Sequence, residues 1–178
     1  MPEARRSGKR ILLAAAILAS LAGCGYHLQG GGKGRFSDPA TRIDVSPFAN
    51  ASPIPGAGPY IAARLREELR RGGFRGDFGG AGADFLVEGK IREIREDVVS
   101  HAADSRFGLE YRLTLLVDIR VVEVVKGRVL WKEGGLTETA PFYSDPDAQY
   151  TEANRTTAFE EAGRRMAVRI AQTIKVVL

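Results

Sequence analysis

Few side chains in this 178-residue sequence can do chemistry, and their spacing narrows the possibilities further. There is one cysteine, Cys24, and there are two histidines. Cys24 has a different use, argued below. His27 and His101 lie 74 positions apart, so no His/Cys pair at ligand spacing remains and no metal or cofactor is expected. A hydrolase elbow of the Gly-x-Ser-x-Gly type is absent. Lys33 follows glycines, but Gly34 stands where a phosphate loop needs Ser or Thr. Glu93, Glu96 and Asp97 could form an acid/base pair, yet carboxylates at such a position more simply solvate the end of a strand. The expectation is a protein that is not an enzyme.

Cys24 is the informative residue. Arg5, Arg6, Lys9 and Arg10 precede a run of apolar or small residues from Ile11 to Ala22, broken only by Ser20. A bilayer span needs roughly 20 apolar residues, so this run is too short to cross and has the length of a signal-peptide core. It ends Leu21-Ala22-Gly23-Cys24, the pattern at which bacterial lipoprotein precursors are cleaved. Small residues at 22 and 23 admit a peptidase to the backbone, and the thiol of Cys24 is the group that takes the lipid. Cleavage is expected between Gly23 and Cys24, with lipidation on Cys24. Two or more acyl chains give stable anchoring, each buried methylene contributing about 0.8 kcal/mol. Gly25 rather than Asp follows the cysteine, which by the lipoprotein sorting rule favours the outer membrane, on its periplasmic side.

This reading changes the meaning of the charge. The full chain is formally +4. Removal of residues 1–23 takes away four basic side chains and Glu3, leaving 22 basic against 21 acidic. A nearly neutral mature chain gives no reason to expect a nucleic-acid partner.

The remaining chain organises as a Gly-rich tether over 24–38 and a single domain over 39–178. Ile43 to Ser46 alternates as a short strand stopped by Pro47, and prolines 47, 53, 55 and 59 mark a turn-rich link. Pro59 opens a helix whose Ile61, Leu65 and Leu69 form one stripe, with Gly72-Gly73 as its stop. A second strand runs from Phe85 to Ser100, and its apolar phase slips between Ile91 and Ile94, which predicts a bulge. Leu109 to Val125 alternates strictly and predicts a strand with one buried face. Lys126-Gly127 turns into a fourth strand over Arg128–Glu133. A last helix covers roughly Glu152 to Val176, with Phe159, Ala162, Met166, Ile170 and Ile174 on one face. The order β-α-β-β-β-α predicts an α+β two-layer sandwich, with a mainly antiparallel four-stranded sheet and two helices on one face.

Basic residues fall on or beside the strands: Arg92, Arg95, Arg106, Arg112, Arg120, Arg128 and Lys132. Arginine forks suit bidentate phosphate binding. The alternative is pairing with Glu88, Glu110, Asp118 and Glu133 on neighbouring strands.

Cys24-Gly25-Tyr26-His27-Leu28-Gln29-Gly30 resembles the mature start of the LptE family of lipopolysaccharide-assembly lipoproteins, although Gln29 replaces the common Arg. The stretch 43–56 (IDVSPFANASPIPG) is similar to that family's first strand and Pro-Phe link. The stretch 83–91 (ADFLVEGKI) is similar to its second strand, and the last helix completes the order. The resemblance implies an outer-membrane lipoprotein that plugs the LptD β-barrel and assists delivery of lipopolysaccharide. Its partners would be that barrel, lipopolysaccharide and the membrane. Arg92, Arg95, Arg106, Arg128 and Lys132 are the candidate contacts for the lipopolysaccharide phosphates. The rival class is a lipoprotein activator of a peptidoglycan synthase. Such a protein must reach across the periplasm, whereas a flexible tether of this length averages only about 20–25 Å.

Overall fold

The computed structural model describes residues 41–75, 82–100 and 109–178. The expectations for residues 1–38, including Gly23, Cys24 and His27, lie outside these residues, as do those for His101 and Arg106. In chain order the elements are β1 (Ile43–Val45), β2 (Ala49–Asn50), α1 (Ala57–Arg71), β3 (Phe85–Ser100), β4 (Glu110–Glu123), β5 (Arg128–Tyr143) and α2 (Ala148–Val177).

The strict alternation of β4 makes it the middle of the sheet. Leu113, Leu115, Val117, Ile119 and Val121 are buried, and β4 pairs antiparallel with β3 on one side and β5 on the other. The predicted phase slip is present: the β3–β4 register jumps between Ile91 and Glu93, which leaves Arg92 without an opposite residue. Both helices pack on the face that carries the buried residues, so the architecture is the expected α+β sandwich. In α1, Ile61, Ala62, Leu65 and Leu69 are fully buried, and Arg71 pairs with Glu67 on the wet side. Gly73 adopts φ 89, and the Phe74 N–H reaches back to the Leu69 carbonyl at 3.1 Å, closing the helix as its glycine pair predicts.

The sheet is mainly antiparallel as expected, through β3, β4 and β5, but differs in extent and at its edge. It has five strands in mixed directions, because β1 and β2 both run parallel to β3. The cause is α1, which returns the chain to the end where β1 began, as a parallel pair requires. β2 has only two residues and lies within the stretch that the prolines mark as a link. Pro59 lies in the first turn of α1 rather than opening it, where its missing N–H costs no helical bond. β5 continues ten residues beyond Glu133, with Leu136, Ala140 and Phe142 facing inward. Its alternation is hidden by the kink at Gly134-Gly135, where Gly135 takes φ 75 and donates its N–H to Asp118 Oδ1 at 2.9 Å. α2 starts earlier than Glu152, because the Asp147 carboxylate caps it by accepting the Gln149 N–H at 2.8 Å.

Phe48 joins the layers. Its side chain is 3% exposed and its ring lies over Gly89, the inward position of β3 that has no side chain; a Cβ there would overlap the ring. Its carbonyl lies against Gly58 of α1, so closely that a Cβ at Gly58 would overlap it. Across the helices, a Cβ at Gly163 of α2 would meet the Tyr60 ring at 3.0 Å, and Tyr60 stacks obliquely on Phe159 at 5.3 Å.

Gly58→Ala should lower the urea midpoint, destabilising the domain by about 1–3 kcal/mol. Helix propensity alone would favour alanine by about 1 kcal/mol. An unchanged or raised midpoint would show that the Phe48 carbonyl can retreat.

Candidate binding surface on the open sheet face

Side chains that leave β3, β4 and β5 away from the helices form an open, polar face. The register sets Glu88, Arg120 and Lys132 in one row, Lys90 against Asp118 in the next, and Arg95 beside Thr114 and Thr139 farther along. Arg120 pairs with Glu88, and Arg92 Nε lies 3.1 Å from Asp118. The second pair exists because the bulge turns Arg92 onto this face. Arg95 pairs within its own strand, with Asp97 at 2.9 Å. The guanidinium of Arg120 titrates above its ordinary value because of the hydrogen bond to Glu88, and that of Arg95 because of Asp97. All three arginines are more than half exposed, so solvent screens the pairs and they order the charge pattern more than they stabilise the fold.

The predicted site residues therefore separate. Arg92, Arg95 and Lys132 share the open face. Arg128 instead sits at the end of the sheet, 3.1 Å from Glu123, which also holds Lys126 at 2.7 Å. Lys126 first, and then Arg128, holds the Glu123 carboxyl below the usual carboxylate range. The expected cross-strand pairing is found for Arg120 with Glu88 and for Arg92 with Asp118.

Lys132 and Lys90 have no ion pair among the described residues. Both line a depression of about 370 Å³ between the strands and the Ser46–Ala49 segment, along with Asp118 and Arg120. Two free ammonium groups beside Arg120 can receive an oxyanion at this place. Lys90 had no mark in the sequence beyond pointing away from the core. Its partnership with Lys132 follows from a register that two bulges displace.

The flank of β5 is closed by α2. Arg169 donates to the Thr137 carbonyl at 3.4 Å, Arg165 donates to that of Thr139, and Asn154 Nδ2 donates to that of Tyr143 at 2.9 Å. Glu138, on the inward side of β5, receives the same two arginines, with Arg169 at 3.6 Å and Arg165 at 3.9 Å. Pro141 has no N–H to offer. A second depression of about 390 Å³ lies between the Pro53–Gly56 turn and α2, lined by Tyr60, Arg155 and Phe159. Among the described residues no cluster of His, Cys, Asp or Glu could hold a metal ion, and no helix is long and apolar enough to cross a membrane.

Comparison with known proteins gives the fold and the family. The minor lipoprotein of Acinetobacter baumannii is similar at TM-score 0.53 and 13% identity, over 75% of this chain and 90% of that one. The rare lipoprotein B of Shewanella oneidensis is similar at 0.51 and 17%, over 74% and 93%. Lipoprotein B of Nitrosomonas europaea is similar at 0.52 and 12%, over 75% and 81%. At such identities the likeness is one of fold. No curated protein matches the sequence significantly. The family model for lipopolysaccharide assembly, LptE, matches residues 40–176, nearly the whole of the sandwich and both of its helices. The chain belongs to the LptE lipopolysaccharide-assembly family.

Proposed function

We propose that this protein is an outer-membrane lipoprotein that plugs and supports an LptD-type β-barrel during assembly of lipopolysaccharide at the outer leaflet, and that it binds lipopolysaccharide itself. Membership of the LptE family over residues 40–176 is the observation that carries the reading. Three features of the molecule support it. The Leu21–Cys24 motif supplies an anchor in the membrane that houses the barrel. The lumen of a wide barrel is polar, and the face this domain leaves uncovered is polar and charge-mixed. A plug must also avoid adding a strand where none belongs, and α2 closes the flank of β5 against that.

Lipopolysaccharide phosphates are dianionic acceptors, and cations on the open face are their natural donors. Lys132 is the leading contact because no carboxylate among the described residues holds it. Arg92 and, farther along the strands, Arg95 lie on the same face, and each must exchange an existing carboxylate for a phosphate. Arg128, at the end of the sheet and paired with Glu123, and Arg106, outside the described residues, remain candidates from the sequence alone.

Affinity purification of the tagged chain from outer membranes should recover one large β-barrel protein in stoichiometric amount. Recovery of a peptidoglycan synthase with no barrel would overturn the reading. Lys132→Glu combined with Arg95→Glu should weaken lipopolysaccharide binding about tenfold or more, a loss near 1.4 kcal/mol, with the unfolding midpoint unchanged. Equal affinity would mean that these charges only solvate the sheet. Cys24→Ser should leave the precursor uncleaved and free of acyl label, and retained label would refute lipidation there.

A further inference from the structure

One end of the sandwich gathers exposed valines and cations, and the chain from Cys24 enters the domain at that end. The register makes the grouping unambiguous. Ile43 of β1 pairs with Phe85 of β3, Phe85 with Glu123 of β4, and Glu123 with Arg128 of β5. The N-terminus of β1 and the β4–β5 turn therefore share one end. The C-termini of both helices join them. The Ile43 N–H donates to the Arg75 carbonyl just past α1, and the Lys175 side chain of α2 lies over Gly72.

Two valines at this end are 86% exposed, Val125 in the turn and Val176 at the close of α2, and Val124 and Val129 are about half exposed. Lys126 and Arg128 flank the turn, Arg70 and Arg71 end α1, Arg42 and Arg75 bridge beside β1, and Lys175 ends α2. These seven cations face four side-chain carboxylates, Glu67, Glu68, Asp84 and Glu123, and the carboxylate of Leu178, so the described end is net positive. Exposed valines ringed by long cationic side chains form an interfacial surface. The valines enter the headgroup region while the cations remain at the phosphates.

We propose that this end, with Val125 at its tip, rests on the anionic phospholipid headgroups of the leaflet that holds the lipid anchor. The inference rests on the lipidated Cys24 of the preceding section. The 17 residues from Gly25 to Thr41 reach about 60 Å at full extension and average roughly 20–25 Å if flexible. This end is where that tether attaches, so the anchor presents it, before any other surface, to the leaflet. Each cation close to an anionic surface changes partitioning by roughly fivefold. Anchor and cationic end then act as two linked contacts, each raising the occupancy of the other.

The test uses the mature chain with Cys24→Ser, so that no acyl chain contributes. It should sediment with vesicles of phosphatidylethanolamine containing about one quarter phosphatidylglycerol, and not with phosphatidylcholine vesicles. Lys126→Glu with Arg128→Glu should lower binding at least about 20-fold, and Val125→Asp should lower it severalfold. Arg164→Glu, a reversal on the exposed middle of α2, should leave it unchanged. All these sites are exposed, and circular dichroism checks that each variant folds. Absence of binding to the anionic vesicles, equal binding to both vesicle types, or an equal loss from Arg164→Glu would overturn the proposal. Recovery of the β-barrel partner is a separate measurement, so failure here would leave the plug reading standing.

Discussion

Phe48 is the contact on which the two layers depend. It lies between β1 and β2, in a stretch with too few backbone pairs to hold itself in place. Its ring fills the bare inward position at Gly89 and its carbonyl abuts Gly58, so one residue fixes how far α1 stands from β3. A dense interior transmits such a displacement rather than absorbing it. α1 touches α2 through Tyr60 at Gly163 and at Phe159, and α2 in turn lies along β5. Spacing set at Phe48 thus propagates across the helical layer to the opposite flank of the sheet.

The two flanks of the sheet are guarded differently. Along β5, Arg169, Arg165 and Asn154 of α2 occupy outward carbonyls, and Pro141 removes an N–H. Along β3 beyond Ile91 no strand pairs on the outer side among the described residues, and Arg92, Glu93, Arg95, Glu96 and Asp97 crowd that stretch with charge. Charge on an exposed strand discourages edge-to-edge association. Ile94 of that stretch is buried in the shared core, and Arg155 of α2 lies 3.3 Å from Glu96. The polar face between these flanks remains accessible, and it carries the candidate phosphate-binding cations.

Much of this was legible in the sequence wherever burial repeats with a period. The stripe of Ile61, Leu65 and Leu69, the alternation from Leu113 to Val121, and the slip between Ile91 and Ile94 all report directly which side chains leave water. What was not legible depends on contacts remote in sequence. β2 has two residues and exists only because β3 offers it a partner. The inward half of β5 is masked by Gly134-Gly135 and by Glu138, an acid on the core side that two arginines of α2 neutralise. The candidate site divides in the same way. Cys24 is marked by its neighbours, whereas the free state of Lys132 and the capture of Arg92 by Asp118 depend on a bulged register that no local pattern records.

The parallel pairing of β1 also has a mechanical meaning. Any tension between a membrane anchor and the domain enters through Thr41 and the three residue pairs that join β1 to β3. A pull along the strand loads those hydrogen bonds together in shear, whereas a pull across it would break them one at a time. Behind them the ring of Phe48, seated on Gly89, acts as a second stop, and Arg66 of α1 holds the Val45 carbonyl ahead of it. The short first strand therefore hands whatever the tether transmits to β3, the outermost strand of the antiparallel meander, rather than to the loop that follows it.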